Sequence, residues 1–167
     1  MKKALLQLHV AVFLAGFTAI LGKLIKLNEG LLVEEKLGRK LGIEAIDLYL
    51  SHWPDASTPF EETLGAYDKL LKAGKVRNIG ASNLDADQLR QSLRAASDNS
   101  LPRYAVLQPE YNLYDRSSFE GALQDFCMAE EIGVITYFAL AKGFLSGKYR
   151  SEADLGQSVR GGGVRNY

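Results

Sequence analysis

Residues 46–55, with the sequence IDLYLSHWPD, form a short apolar run that ends in a histidine, an indole and a proline. Only Asp47 is polar within residues 46–50, which is typical of a buried strand. The strand must end before Pro54, because proline has no N–H to donate to a β-ladder. His52 therefore stands at the end of a predicted strand, where α/β folds often place a functional side chain.

A lone histidine after a strand is more often a structural residue than a functional one. The rest of the chain repeats the pattern, however. Apolar strands are predicted to begin at residues 46, 76, 104 and 134, so their starts are 30, 28 and 30 residues apart. Helices are predicted between them, with capping boxes at 58–61, 85–88 and 117–120. Such units imply a parallel sheet with helical crossovers.

Two α/β architectures contain repeated units of this kind. Eight units of about 30 residues would give the roughly 250 residues of a (β/α)8 barrel, so four correspond to half of one. A doubly wound sheet would normally show a glycine-rich phosphate turn after its first strand, and no G-x-G-x-x-G occurs here. The sequence therefore predicts an α/β fold, a partial (β/α)8 (TIM) barrel of about four consecutive βα units.

The composition narrows the class of partner. The chain has 167 residues, with 20 basic and 20 acidic side chains and no strongly basic run, so we expect no nucleic-acid partner. Its single cysteine, Cys127, cannot form an internal disulfide, which suits a reducing compartment and excludes a cysteine-based metal cluster. We expect no metal site.

Residues 1–28 differ in composition from the rest of the chain. Two lysines precede an apolar stretch over residues 4–27 that only a few polar residues interrupt. This stretch has features of a signal peptide or membrane anchor, but Gln7 and His9 interrupt it early and no good cleavage site follows. We favour an apolar helical segment over residues 1–28, followed by a partial barrel domain over residues 29–167, with no membrane span.

Polar side chains follow successive predicted strands at the same relative place: His52, Ser82, Asn83 and Gln108. Each alone is explained as a turn or capping residue. The carboxyl ends of barrel strands, however, meet at one face where active sites are assembled. We therefore expect these four side chains to converge.

Four stretches of the chain, residues 46–54, 74–83, 108–113 and 140–149, resemble signatures of the aldo-keto reductase family in this order and spacing. The resemblance implies a (β/α)8 barrel that reduces aldehydes or ketones to alcohols with NADPH, in the cytoplasm. Residues 150–163 are similar to the bacterial and fungal branch of the family that also resembles potassium-channel β subunits.

The resemblance also assigns roles to single residues. His52 matches the catalytic histidine that hydrogen-bonds a small carbonyl substrate, and Trp53 would line the substrate pocket beside it. Tyr137 matches the aromatic ring that stacks on the nicotinamide. The cofactor-binding residues that the resemblance implies are Ser82, Asn83 and Gln108 at the nicotinamide carboxamide, with Leu140, Lys142 and Gly143 further along.

The sequence also departs from the family pattern. In the family the proton donor is a tyrosine assisted by a lysine and an aspartate, all preceding the histidine, and here no Tyr or Asp precedes Asp47. We expect these 167 residues to turn over poorly or not at all alone. The alternative is a non-catalytic remnant or a nicotinamide-binding or interaction module similar to the channel subunits. In either case, open barrel edges predict self-association or a complementing chain.

Overall fold

The computed structural model describes residues 42–165 and residue 167. The segment predicted over residues 1–28, and the start of the domain predicted from residue 29, lie outside the described residues. The elements are β1 (Tyr49–Ser51), α1 (Phe60–Lys72), β2 (Ile79–Ser82), α2 (Ala86–Asp98), β3 (Val106–Gln108), α3 (Ala122–Ala129), β4 (Gly133–Val134), two 3-10 helices (Ala141–Ser146 and Glu152–Gln157) and α4 (Gly161–Val164).

The four strands form one parallel sheet in the order β1-β2-β3-β4. Each strand lies beside its neighbour in sequence, and a helix crosses over between them. A doubly wound sheet reverses its strand order at a switch point, and these four strands contain no such reversal. The predicted partial (β/α)8 barrel is confirmed as the arrangement of the described residues.

The strands are shorter than the apolar runs predicted. Two isolated parallel bridges continue the pairing. Ile46 pairs with Val76 before β1 and β2, and Glu110 pairs with Tyr137 after β3 and β4. The second bridge extends the sheet to the residue after which the chain turns into the 3-10 region. It therefore holds Tyr137 at the same edge as the ends of β1, β2 and β3.

The hydrophobic core lies between the sheet and its helices. Three buried tyrosines form its centre: the rings of Tyr49 and Tyr67 meet edge to face at 5.7 Å, and those of Tyr67 and Tyr104 at 6.2 Å. Such pairs contribute about 0.5–1.5 kcal/mol each beyond the burial of their surface. They fix α1 against β1 and against the segment that leads into β3, and so fix the loop that carries His52.

Gly80 allows the other face of the sheet to close. A Cβ atom there would lie 2.5 Å from the Leu50 side chain and 2.5 Å from the Val106 carbonyl oxygen. Only glycine fits between β1 and β3 at this point. The close approach sets the position of Ser82 and Asn83, which follow two and three residues later.

Of the three capping boxes predicted, one is confirmed. Asp85 caps α2, and Gln88 returns the hydrogen bond. The prediction at Thr58 is wrong, because its hydroxyl donates to Asp55 and α1 begins after Pro59 without a side-chain cap. The prediction at Ser117 is wrong too, because α3 begins only at Ala122.

Candidate functional site

The predicted convergence of polar residues is found at the carboxyl ends of β2 and β3. Ser82 and Gln108 are paired in register, and the Ser82 hydroxyl donates a 2.7 Å hydrogen bond to the Gln108 carbonyl oxygen. The backbone N–H of Asn83 donates to the same oxygen at 3.3 Å. The end of β2 is therefore tied to the end of β3 by two hydrogen bonds.

Asn83 connects this pair to two further predicted site residues. Its Nδ2 donates to the His52 carbonyl oxygen at 2.8 Å, and its Oδ1 accepts from the Tyr137 hydroxyl at 2.7 Å. We call these two bonds the Asn83 bridge. Asn83 has a φ of 59°, a conformation that asparagine tolerates better than most residues. In this conformation the Asn83 side chain reaches both His52 and Tyr137.

Tyr137 enters the bridge as a protonated hydroxyl. Its pKa is raised above the ordinary tyrosine value, first by burial and then by the nearby Glu110 carboxylate. Both effects disfavour the phenolate, so the hydroxyl keeps its proton and donates a hydrogen bond to the Asn83 Oδ1 atom. A tyrosine with a raised pKa is also a poor proton donor to a substrate near neutral pH.

Two polar groups at these strand ends lack partners within the described residues. The Nδ1 atom of His52 is buried and has no hydrogen bond. The side chain of Gln108, a residue that is only 4% exposed, makes none either. Buried polar groups are normally satisfied, so a polar ligand such as an amide or a carbonyl could complete the buried Nδ1 atom of His52 and bond to the free Gln108 carboxamide at the same edge.

The remaining predicted cofactor residues lie in the turn that follows Tyr137. Backbone φ values are positive at Phe138, Ala141, Lys142 and Gly143. Such conformations cost about 1–3 kcal/mol in residues other than glycine, and they cluster at functional sites. Leu140 is 60% exposed in this turn. The turn is joined to the rest of the site by Asn112, whose side chain donates to the Phe138 carbonyl oxygen.

Lys142 lies near two aromatic rings that the sequence analysis did not place at the site. Its ammonium group lies 5.2 Å from the centre of the Phe138 ring and 5.8 Å from that of Tyr167. The Tyr167 hydroxyl donates to Asp115 at 2.7 Å, and this bond, followed by one from Asn112, lowers the pKa of Asp115. Tyr167 and Asp115 are 52 positions apart, so no local pattern marked this cluster.

Trp53 lies beside His52, with the two rings 5.7 Å apart, and it is 56% exposed. Both residues line a cleft of about 360 Å³ between the end of β1 and helix α1. The cleft does not include Ser82, Asn83, Gln108 or Tyr137. It therefore lies on the helix side of His52, whereas the residues tied by hydrogen bonds lie at the strand ends.

Tyr104 is one of three buried tyrosines, with Tyr49 and Tyr67, that line the same cleft as His52. Its hydroxyl lies 3.4 Å from the Ser51 hydroxyl, and burial raises its pKa to about 12. Tyr149 has the opposite shift, because its hydrogen bond with Ser158 and then the neighbouring Lys148 lower its pKa. Tyr149 packs against Gly143, in the turn after Tyr137.

Within residues 42–165 and 167, no three His, Cys, Asp or Glu side chains come together as metal ligands. No helix in that part is long and apolar enough to cross a membrane.

Comparison with known proteins gives one family. The model of the Aldo/keto reductase family matches residues 33–161. Aldo-keto reductase YhdN of Bacillus subtilis is 36% identical over 135 residues, which cover 81% of this chain and 37% of that protein. The NADH-specific methylglyoxal reductase of Escherichia coli is 36% identical over 112 residues, 65% of this chain and 32% of that protein.

A probable voltage-gated potassium channel subunit beta of Arabidopsis thaliana is 35% identical over 115 residues, 69% of this chain and 35% of that protein. Among solved structures, an aldo-keto reductase from Klebsiella pneumoniae in complex with NADPH aligns with a TM-score of 0.60 and 32% identity, over 71% of this chain and 39% of that one. The chain spans about a third of the length of these curated relatives. With its parallel sheet and a family match over most of its length, this chain belongs to the aldo/keto reductase family.

Proposed function

We propose that this chain binds a nicotinamide dinucleotide at the carboxyl ends of its strands, and that His52 there holds the carbonyl oxygen of a small aldehyde or ketone. The observation that carries the proposal is the Asn83 bridge, which brings residues from the ends of three strands, His52, Asn83 and Tyr137, within hydrogen-bonding distance. The proposal rests on this geometry and on family membership.

The unsatisfied polar groups support the fit of the cofactor. The Gln108 carboxamide and the spare hydrogen-bonding capacity of Asn83 suit the carboxamide of a nicotinamide ring, and the ring of Tyr137 offers a face for stacking. Lys142, in the turn with positive φ values, supplies a positive charge for the phosphates. When bound, the cofactor supplies a hydride to the carbonyl carbon. The residues of this chain hold the ring and the carbonyl in place.

We propose NADPH as the cofactor and a cytoplasmic location. The Klebsiella pneumoniae relative is described in complex with NADPH, whereas the Escherichia coli relative is named NADH-specific. The location is supported by the single free thiol of Cys127, which suits a reducing compartment. Titration with both cofactors under the same conditions tests the choice, and tighter binding of NADH would reverse it.

The carbonyl oxygen needs a proton when the hydride arrives, and we propose that neither Tyr137 nor Tyr104 donates it. Tyr137 and Tyr104, which flank the ends of the strands, both have raised pKa values and are engaged in hydrogen bonds. A tyrosine donor requires the opposite shift to act near neutral pH. Reduction by this chain alone is therefore expected to be slow.

The raised pKa values of Tyr137 and Tyr104 also favour a second candidate function, a nicotinamide-binding module that does not turn over. The similarity to a probable potassium channel subunit beta supports it. In this case the cofactor would be bound at the same residues, and an exposed surface would serve an interaction.

A turnover assay separates the two functions. NADPH absorbance is followed with an activated aldehyde such as 4-nitrobenzaldehyde at high protein concentration. Reductase activity predicts consumption that disappears in His52→Ala, whereas the binding module predicts cofactor binding without consumption in either protein. Consumption that is equal in the two proteins would contradict the role of His52.

A further inference from the structure

We propose that Asn83 is the positioning residue for His52 and that it couples His52 to the ring of Tyr137, so that a ligand seated on Tyr137 alters the orientation of the histidine. The part that concerns the ligand rests on the proposed function. The coupling itself is a property of the protein without ligand.

The hydrogen-bonding chemistry of the Asn83 bridge admits only one arrangement. A backbone carbonyl accepts and never donates, so the Asn83 atom that faces His52 is Nδ2. The amide oxygen then faces Tyr137, whose hydroxyl must donate. The raised pKa of Tyr137 keeps that proton in place. The orientation of the Asn83 side chain is thus fixed at both ends.

The backbone of Asn83 is held independently of its side chain. Its N–H donates to the Gln108 carbonyl oxygen, and the adjacent Ser82 hydroxyl donates to the same atom. The bridge is therefore anchored on β2 and β3, the two central strands of the described sheet. Because the Asn83 backbone stays in place, a displacement of its side chain at Tyr137 changes the hydrogen bond that the same side chain makes with His52.

His52 depends on this tether. The Nδ1 atom of its ring is buried without a partner, so no hydrogen bond at that atom orients the imidazole. Within the described residues, the hydrogen bond that His52 does receive comes from Asn83 to its backbone oxygen. Asn83 therefore holds the backbone position at the end of β1 from which the His52 ring projects.

The bridge also leaves room for a ligand. A carboxamide has two N–H donors and two acceptor sites on its oxygen, and the bridge uses one of each. A ligand that stacks on Tyr137 and one that bonds to Asn83 would both act on the same side chain. The proposed nicotinamide would do both, and its arrival would be transmitted to His52.

The test is an NMR measurement on the full chain with 13C-labelled histidine and no cofactor added. The His52 ring resonance is assigned by its loss in His52→Gln. Tyr137→Phe removes only the hydroxyl, whereas Asn83→Asp tolerates the positive φ but replaces the donor by a carboxylate oxygen and adds a charge, so Tyr137→Phe is the decisive variant. We expect both to move the His52 resonance by more than its linewidth. The double variant should move it no further than Asn83→Asp alone.

Tyr114→Phe is the matched control, because Tyr114 is an exposed ring near the same turn and its hydroxyl makes no hydrogen bond within the described residues. It should leave the His52 resonance in place. An unchanged resonance in Tyr137→Phe, or an equal change in Tyr114→Phe, would overturn the proposal. Tyr137→Phe suffices should Asn83→Asp fail to fold.

Addition of NADPH then separates the two proposals. In the wild type the His52 resonance should shift on binding, and in Tyr137→Phe the shift should be smaller at saturation. Coupling in the free protein combined with no NADPH binding would leave the positioning role of Asn83 supported and would refute the proposed function. Binding with equal shifts in both proteins would refute the transmission through Tyr137.

Discussion

At the scale of single residues, Gly80 and Gly65 differ in the space around them. A Cβ atom at Gly80 would come within 2.5 Å of the Val106 carbonyl oxygen, whereas one at Gly65, in α1, would meet nothing within 4 Å. We expect Gly80→Ala to destabilise the fold by about 1–3 kcal/mol through overpacking. Gly65→Ala should instead stabilise it by about 0.5–1 kcal/mol, because alanine favours helix. Urea unfolding measures both, and equal effects would contradict the packing described for β2.

Tyr104 gives a second prediction at this scale. Burial raises its pKa from 10.0 to about 12, so the folded state holds the phenolic proton more tightly than the unfolded state does. Its contribution to stability is complete below pH 10 and is lost as the pH rises towards 12. Tyr104→Phe should therefore lose less stability over this alkaline range than the wild type. Identical losses in chemical denaturation between pH 9 and 12 would show that Tyr104 is not buried as described.

At the scale of elements, the helix starts distinguish a true cap from an apparent one. Asp85 accepts a 2.8 Å hydrogen bond from the Gln88 N–H at the start of α2, whereas Thr58 stands before α1 without capping it. Asp85→Ala should cost about 0.5–2 kcal/mol. Thr58→Ala loses only an exposed hydrogen bond to Asp55 and should cost markedly less. Thermal unfolding of the two variants ranks them, and the reverse order would contradict the helix boundaries.

The same elements show what a sequence can predict. The repeated interval of about 30 residues predicted the parallel sheet, because apolar periodicity is a local property. The capping boxes at Thr58 and Ser117 were wrong, since the side chains of Thr58 and Glu120 found other partners in the folded chain.

At the site, the predicted strand ends correctly indicated that four residues lie close together: His52, Ser82, Asn83 and Gln108. The bridge from Asn83 to Tyr137 spans 54 positions and depends on the orientation of one side chain, which no local pattern encodes. The local sequence could not predict the cleft beside Trp53 either, because residues of α1 form the other wall of that cleft.

At the scale of the whole molecule, the described sheet has two outer strands. Within residues 42–165, β1 and β4 each pair on one side only, and Val134 on β4 is 38% exposed. Unpaired parallel edges attract other strands. We expect the chain to self-associate or to bind a complementing chain. Sedimentation over a range of concentrations measures this, and a single monomeric species at every concentration would count against self-association.

A titration of the full chain with NADPH tests whether the strand ends form a nicotinamide site. The fluorescence of Trp53, the only tryptophan of the chain, is followed during the titration. We expect saturable quenching that weakens in Gln108→Ala, which removes the carboxamide at the end of β3, and persists in Gln88→Ala, whose side chain serves the cap of α2. Far-UV circular dichroism confirms that each variant is folded. A folded wild type without saturable quenching, or quenching that is unchanged in Gln108→Ala, would contradict the proposed nicotinamide site.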